Sequence, residues 1–188
     1  MRFLNGLLCF LILGNCFSSF GQTPKATNDL QFLLGDWKVT RTYGPDSDLE
    51  RTYLGTLSCV WDLDSTFIAC TYVLERPGKK KGMDRVYFNY NGIYDQYEST
   101  WMSSTWPIKA TSSGDLTKGT EKWTLSTRAE FLIQNGVTEF VKTDWQIFSL
   151  GGAFKISRET FIRTSNDPDG YWHHHMNESL IHSEPSAE

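Results

Sequence analysis

Residues 58–72 read SCVWDLDSTFIACTY, and the way this stretch folds decides the architecture. Two runs rich in aromatic and β-branched residues flank the polar Asp62-Leu63-Asp64-Ser65. Such runs, parted by residues that favour turns, form antiparallel hairpins. With a reversal at Asp64-Ser65, Cys59 falls directly opposite Cys70. Facing positions of an antiparallel pair approach closely enough for a disulfide; the alternative is two buried thiols. Asp62 and Asp64 are read as turn residues rather than as a paired carboxylate site.

The same grammar recurs along the chain. Strands are predicted at 37–43, 51–61, 66–74, 84–91, 96–102, 108–113, 121–133, 139–150, 153–164 and 171–181. Between them lie turn formers such as Gly44-Pro45-Asp46-Ser47, Arg76-Pro77-Gly78-Lys79, Asn91-Gly92, Ser113-Gly114-Asp115, Asn135-Gly136, Gly151-Gly152 and the run from Asn166 to Gly170. Ahead of them, TNDLQFLL (27–34) predicts one short helix, with Thr27, Asn28 or Asp29 as cap, Leu30, Leu33 and Leu34 as its apolar stripe, and Gly35 as its stop. Many hairpin-linked strands predict an all-β fold, either a sandwich or an antiparallel up-and-down barrel of about 8–10 strands. A barrel leaves no open edge and can hold one small ligand.

The chain has 188 residues and no internal repeat. We assign residues 1–21 to a signal peptide, 22–27 and 183–188 to terminal tails, and 28–182 to one barrel domain. Arg2, the apolar run Leu7–Leu13, and the small residues Ser19 and Gly21 before Gln22 have the layout of a cleaved secretory leader. The run is too short to span a bilayer, so no stable membrane insertion is expected. An exported, periplasmic or extracellular protein follows, with lipidation of Cys16 as the rival reading. Cys9 and Cys16 go with the leader, which leaves Cys59 and Cys70 as the disulfide pair. The net charge of −4 argues against a nucleic-acid partner, which needs a concentrated basic face. Lys79-Lys80-Lys81 is read as a solvated loop tip.

Three stretches carry a family resemblance. Leu34-Gly35-Asp36-Trp37 has the Gly-x-Trp form that opens the first strand of calycin barrels. SCVWDLDSTFIACTYV and VYFNYNGIYDQYESTWMSS (86–104) complete the pattern, with a Tyr94-Asp95 pair and Trp101 in Ser-Thr-Trp. Together they resemble the bacterial family called domain of unknown function 1579, lipocalin-like and more distantly similar to nitrobindins. The resemblance covers most of 28–182. It implies an up-and-down barrel of the calycin or lipocalin-like kind in which Gly35 and Trp37 are structural, with Trp37 at the closed end beneath an arginine from a late strand, Arg158 or Arg163. The chain departs from the pattern at Ser103, where an acid is usual, and at Ile181-His182, where an arginine is common.

GYWHHHMNESLIH (170–182) looks like a ligand set. On a strand, however, Tyr171, His173 and His175 share one face, and Trp172, His174 and Met176 the other. At most two of the three histidines converge, and zinc wants three or four ligands. We therefore assign no metal site, with His173 and His175 as the residues that would chelate one. The similarity to nitrobindins makes haem the alternative cofactor, held by His174 or by His173 or His175. No Gly-x-Ser-x-Gly, His-Glu-x-x-His or glycine-rich phosphate loop is present, so no catalytic residue is assigned. An enzyme acting on a lipophilic substrate is a further alternative, but among Glu139, Asp144, Glu159 and Glu178 nothing selects a pair. Seven tryptophans and eight tyrosines point instead to an aromatic-lined cavity for a small, largely apolar ligand. The ligand-binding candidates are Tyr94, Trp101, Trp123, Trp145, Arg158, Trp172 and His174.

Overall fold

A computed structural model describes residues 26–105, 109–132, 136–150, 153–167 and 169–182. The predicted leader, Cys16, Trp106, the predicted turn at Gly151-Gly152 and residues 183–188 lie outside the described residues. Ten strands follow one short helix: β1 (Gly35–Tyr43), β2 (Arg51–Asp62), β3 (Phe67–Leu74), β4 (Gly82–Asn91), β5 (Gln96–Ser103), β6 (Lys109–Lys118), β7 (Lys122–Leu132), β8 (Thr138–Leu150), β9 (Ala153–Thr164) and β10 (His173–His182). Each pairs antiparallel with its neighbours in sequence, and β1 pairs with β10 to close the barrel.

The hairpin at 58–72 takes the predicted register: Cys59 faces Cys70, and Asp62 faces Phe67. Leu63, Asp64 and Ser65 all adopt left-handed backbone angles, and Thr66 N–H donates to the Leu63 carbonyl at 3.1 Å. The Cys59 and Cys70 sulfurs lie 2.07 Å apart, as in a disulfide bond. A crosslink of this loop length removes about 3 kcal/mol of unfolded-chain freedom. Cys59→Ser/Cys70→Ser is therefore expected to lower the thermal midpoint by about 6–12 °C. Thermal melts with and without reductant check this: the double variant should melt low in both, the native chain only with reductant.

Period-two burial orders β1 and β3. Trp37, Val39 and Arg41 point inward from β1, and Ile68, Cys70, Tyr72 and Leu74 from β3. The helix is a 3₁₀ segment, Thr27–Leu33, that lies across one end and buries Leu30, Phe32 and Leu33. Its predicted capping residues are used differently. Asp29 accepts the Ala26 N–H at 3.0 Å and the Tyr97 hydroxyl at 2.7 Å, while Thr27 Oγ1 donates to the Thr66 carbonyl and accepts from Tyr90 N–H. The cap thus ties the plug to the β2–β3 and β4–β5 ends of the barrel. The continuous apolar core sits beneath it, around Trp37, Leu57, Phe88, Leu125, Ile147, Ile156 and Leu180.

Three expectations are corrected. Ser113-Gly114-Asp115 is not a turn but part of β6, with Gly114 opposite both Tyr97 and Thr127. A Cβ at Gly114 would press into the Ser126 carbonyl, so the glycine marks a close strand approach rather than a break. Neither Arg158 nor Arg163 covers Trp37. Arg163 lies over Phe140 and Trp172, and Arg158 over Trp145, while His182 meets the Trp37 ring edge-on at 4.8 Å. The histidine stands where the resemblance leads one to expect an arginine, and Gly35, with φ of 102°, leaves room for it. Finally, β10 does not keep one parity. Its register with β9 shifts between His174 and Met176, a β-bulge at His175.

Candidate functional site

The end of the barrel opposite the helix holds a cavity of about 480 Å³ that reaches the mouth. That size suits a small organic ligand. Its apolar wall comes from Val86, Trp101, Val141, Trp145, Phe131 and Ile162. Several of its hydroxyls satisfy one another: Ser99 with Ser112 at 2.7 Å, Thr143 with Thr160 at 3.2 Å, and Ser103 with Thr105 at 3.0 Å. Such pairs neutralise polar atoms, which suits a wall that faces an apolar guest. Arg51 and Arg76 stand among the lining residues toward the mouth.

The floor is charged. Arg41 Nε donates to Glu178 Oε2 at 2.5 Å, and its Nη1 to Asp84 Oδ2 at 3.1 Å and to the Tyr43 hydroxyl at 3.2 Å. The Tyr72 hydroxyl donates to Glu178 Oε1 at 3.0 Å, and Arg158 Nη2 lies 3.1 Å from the same oxygen. Strand alternation places these groups together, because each shares its parity with apolar neighbours: Arg41 with Val39, Tyr72 with Cys70, Asp84 with Val86, Glu178 with Leu180. Burial opposes ionisation of Glu178, but the Arg158 and Arg41 charges and the hydrogen bonds from Arg41 and Tyr72 outweigh it. They hold its carboxyl below the ordinary glutamate value. Burial, and then the Glu178 charge, hold the Tyr72 hydroxyl protonated far above its usual range. Burial also raises Glu139, whose side chain lines the outer cavity.

Of the seven ligand-binding candidates, Trp101, Trp145 and Arg158 line this cavity. Tyr94 is exposed in the β4–β5 turn, at the helix end. Trp123 packs edge-on against Phe32 at 5.8 Å and beside Phe154, in the core under the helix. Trp172 and His174 lie on the barrel's outer side. Trp172 meets Arg163, and His174 stacks on Phe161 at 4.8 Å and bonds Asp46 and Asn177. The bulge brings His175 into the cavity lining beside Met176. His173 instead stands at the rim, 3.8 Å from Asp167. Among the described residues, no group of three or more His, Cys, Asp or Glu side chains gathers to hold a metal ion. Among the same residues, no helix is long and apolar enough to cross a membrane.

The sequence reading missed Arg41, Tyr72 and Asp84. Their signal was present: a charge or a hydroxyl at the apolar parity of a strand is a polar group sent inward. In WKVTR, residues 37–41, Arg41 continues the face of Trp37 and Val39.

A closed ten-stranded antiparallel barrel, plugged by a helix at one end and hollow at the other, defines the class: a lipocalin-like barrel. The chain belongs to the family described as protein of unknown function (DUF1579), whose model matches residues 23–180. Among solved structures it is similar to Rv2717c from M. tuberculosis, with 16% identity, 84% of this chain and 96% of that one covered, and a TM-score of 0.61. At that identity the likeness speaks for the fold. The search of curated proteins found no match.

Proposed function

We propose that this protein binds a small, largely apolar molecule inside the open half of its barrel. The observation that carries the reading is the cavity of about 480 Å³, walled by Trp101, Trp145 and aliphatic side chains above a fixed polar floor. Affinity comes from removing apolar surface from water, and the floor orients the guest. N-phenyl-1-naphthylamine, an uncharged probe that brightens in apolar surroundings, tests it. The native protein is expected to bind the probe with saturation at one site. Ala110→Trp, which adds a ring to the cavity wall, should remove binding while leaving the thermal midpoint within a few degrees. A native protein that leaves the probe dark, or a filled variant that binds equally well, overturns the reading.

His175 supports a second reading, in which the cavity takes haem. Its imidazole is placed on the lining by the β-bulge, edge-on to Tyr43 at 5.7 Å. When bound, haem would supply an iron centre for small gaseous ligands, and His175 would be its protein ligand. Hemin titrated into the same sample gives a Soret band lost in His175→Ala if this reading holds, and no shifted band if it does not.

The working compartment proposed here is an exported, oxidising one. Its supports are the leader-like residues 1–21 and the cysteine pair at disulfide distance.

A further inference from the structure

Among the described residues lining the cavity, Arg158 alone has a buried side-chain nitrogen with no hydrogen-bond partner, its Nε. Its Nη2 is committed to Glu178 Oε1 at 3.1 Å and to Met176 Sδ at 3.5 Å, and neither contact uses Nη1 or Nε. Glu178 must also answer Arg41 and Tyr72, so one carboxylate serves two guanidiniums. Asp84 bonds Arg41. Arginine carries five N–H donors and cannot shed its charge, so the shortfall falls on Arg158.

The charge count agrees. Arg41, Arg51, Arg76 and Arg158 line the cavity against Asp84 and Glu139, and Glu178 stands buried behind the floor. Four guanidiniums thus face three carboxylates. Burial further weakens Glu139 as a counter-charge, since it favours the neutral acid. Arg51 is exposed, and water serves it. Arg158 is not served in this way: its side chain is 11% exposed and its guanidinium lies 4.7 Å over the Trp145 ring. A charged hydrogen bond gains most where water is scarce.

We infer that the guest itself supplies the missing charge: the cavity takes an organic acid of medium chain length, with its carboxylate seated on Arg158 at the floor. The apolar part then runs outward along Trp101, Val141 and Ile162 toward Phe131. Arg51 and Arg76 at the mouth draw the anion in, which is an effect on association rate and on salt dependence. This inference rests on the ligand-binding reading above and gives it a chemical class.

The test compares decanoate with decan-1-ol, equal in chain length and different in charge, as competitors of N-phenyl-1-naphthylamine near neutral pH. Decanoate is expected to displace the probe at least about tenfold more tightly than the alcohol. Arg158→Met should bring the acid to the alcohol's affinity, and Arg158→Lys should keep part of the preference. The Arg51→Ala/Arg76→Ala variant should keep the preference and lose salt sensitivity in the association rate. Equal affinities in the native protein overturn the inference. So does a preference that disappears with the two mouth arginines, which would place the acid group at the rim. If Arg158→Met fails to fold, the native comparison and the mouth variant still decide. Probe binding without an acid preference sinks this inference alone; no probe binding sinks it together with the proposed function.

Discussion

Glu178→Ala is expected to cost about 3–5 kcal/mol of folding stability, because it strands the Arg158 guanidinium without a counter-charge and leaves Arg41 with Asp84 alone. For a chain of this size that is a fall of about 10 °C or more in thermal midpoint. The residue is 2% exposed and joins Arg41, Arg158 and Tyr72 at three separate bonds. Glu178→Gln keeps the shape and an acceptor, so it should lose less. The two variants also separate by pH. The folded carboxyl titrates below its unfolded value, so its stabilisation is full above the unfolded glutamate pKa of about 4.3 and is lost as pH falls through the folded value. The native protein should therefore weaken on acidification below about pH 5 more steeply than Glu178→Gln. Denaturant melts across that window check the prediction. An unchanged midpoint for Glu178→Ala would mean that the network holds nothing together.

Trp37→Ala has the other large expected effect, also about 3–5 kcal/mol. The indole is fully buried, and its Nε1 donates to the Leu33 carbonyl at 2.9 Å, which ties the helix to β1. Removing it both empties the core and frees the plug. Trp37→Phe retains most of the ring and drops the hydrogen bond, so about 1–2 kcal/mol is expected. Amide exchange should rise across 27–33 in the alanine variant, beyond any global loss. Tyr94→Ala is the contrast: 71% exposed, it should change stability by less than about 0.5 kcal/mol. If Trp37→Ala melts like Tyr94→Ala, the core is not where the packing places it.

The two variants divide along a line that runs through the whole molecule. Trp37 was legible as structural from Leu34-Gly35-Asp36-Trp37 and the helix before it, but its partner was not. An arginine was expected over the ring, and His182 stands there because β1 pairs Trp37 directly with it. Strand existence was legible nearly everywhere, since alternation and turn chemistry are local. Gly114 misled because a glycine that permits close strands reads the same as one that permits a turn. Parity failed at His175 for a similar reason. One extra residue in β10 flips every side chain on one side of it, and no local feature of His173-His174-His175 announces the bulge.

By itself, then, the sequence determined nearly all the strands, the helix that opens them and the Cys59–Cys70 register, which follow from patterns within a few residues, while the barrel class came with the family resemblance. Only the tertiary structure decided what meets inside. Arg41, Tyr72, Asp84, Arg158 and Glu178 come from five different strands, and they form one floor because barrel closure fixes which layers face each other. The β-bulge in β10 leaves His174 on the outer side and brings His175 to the cavity mouth. A side chain's face depends on its own strand, but its partners depend on the register of all the others.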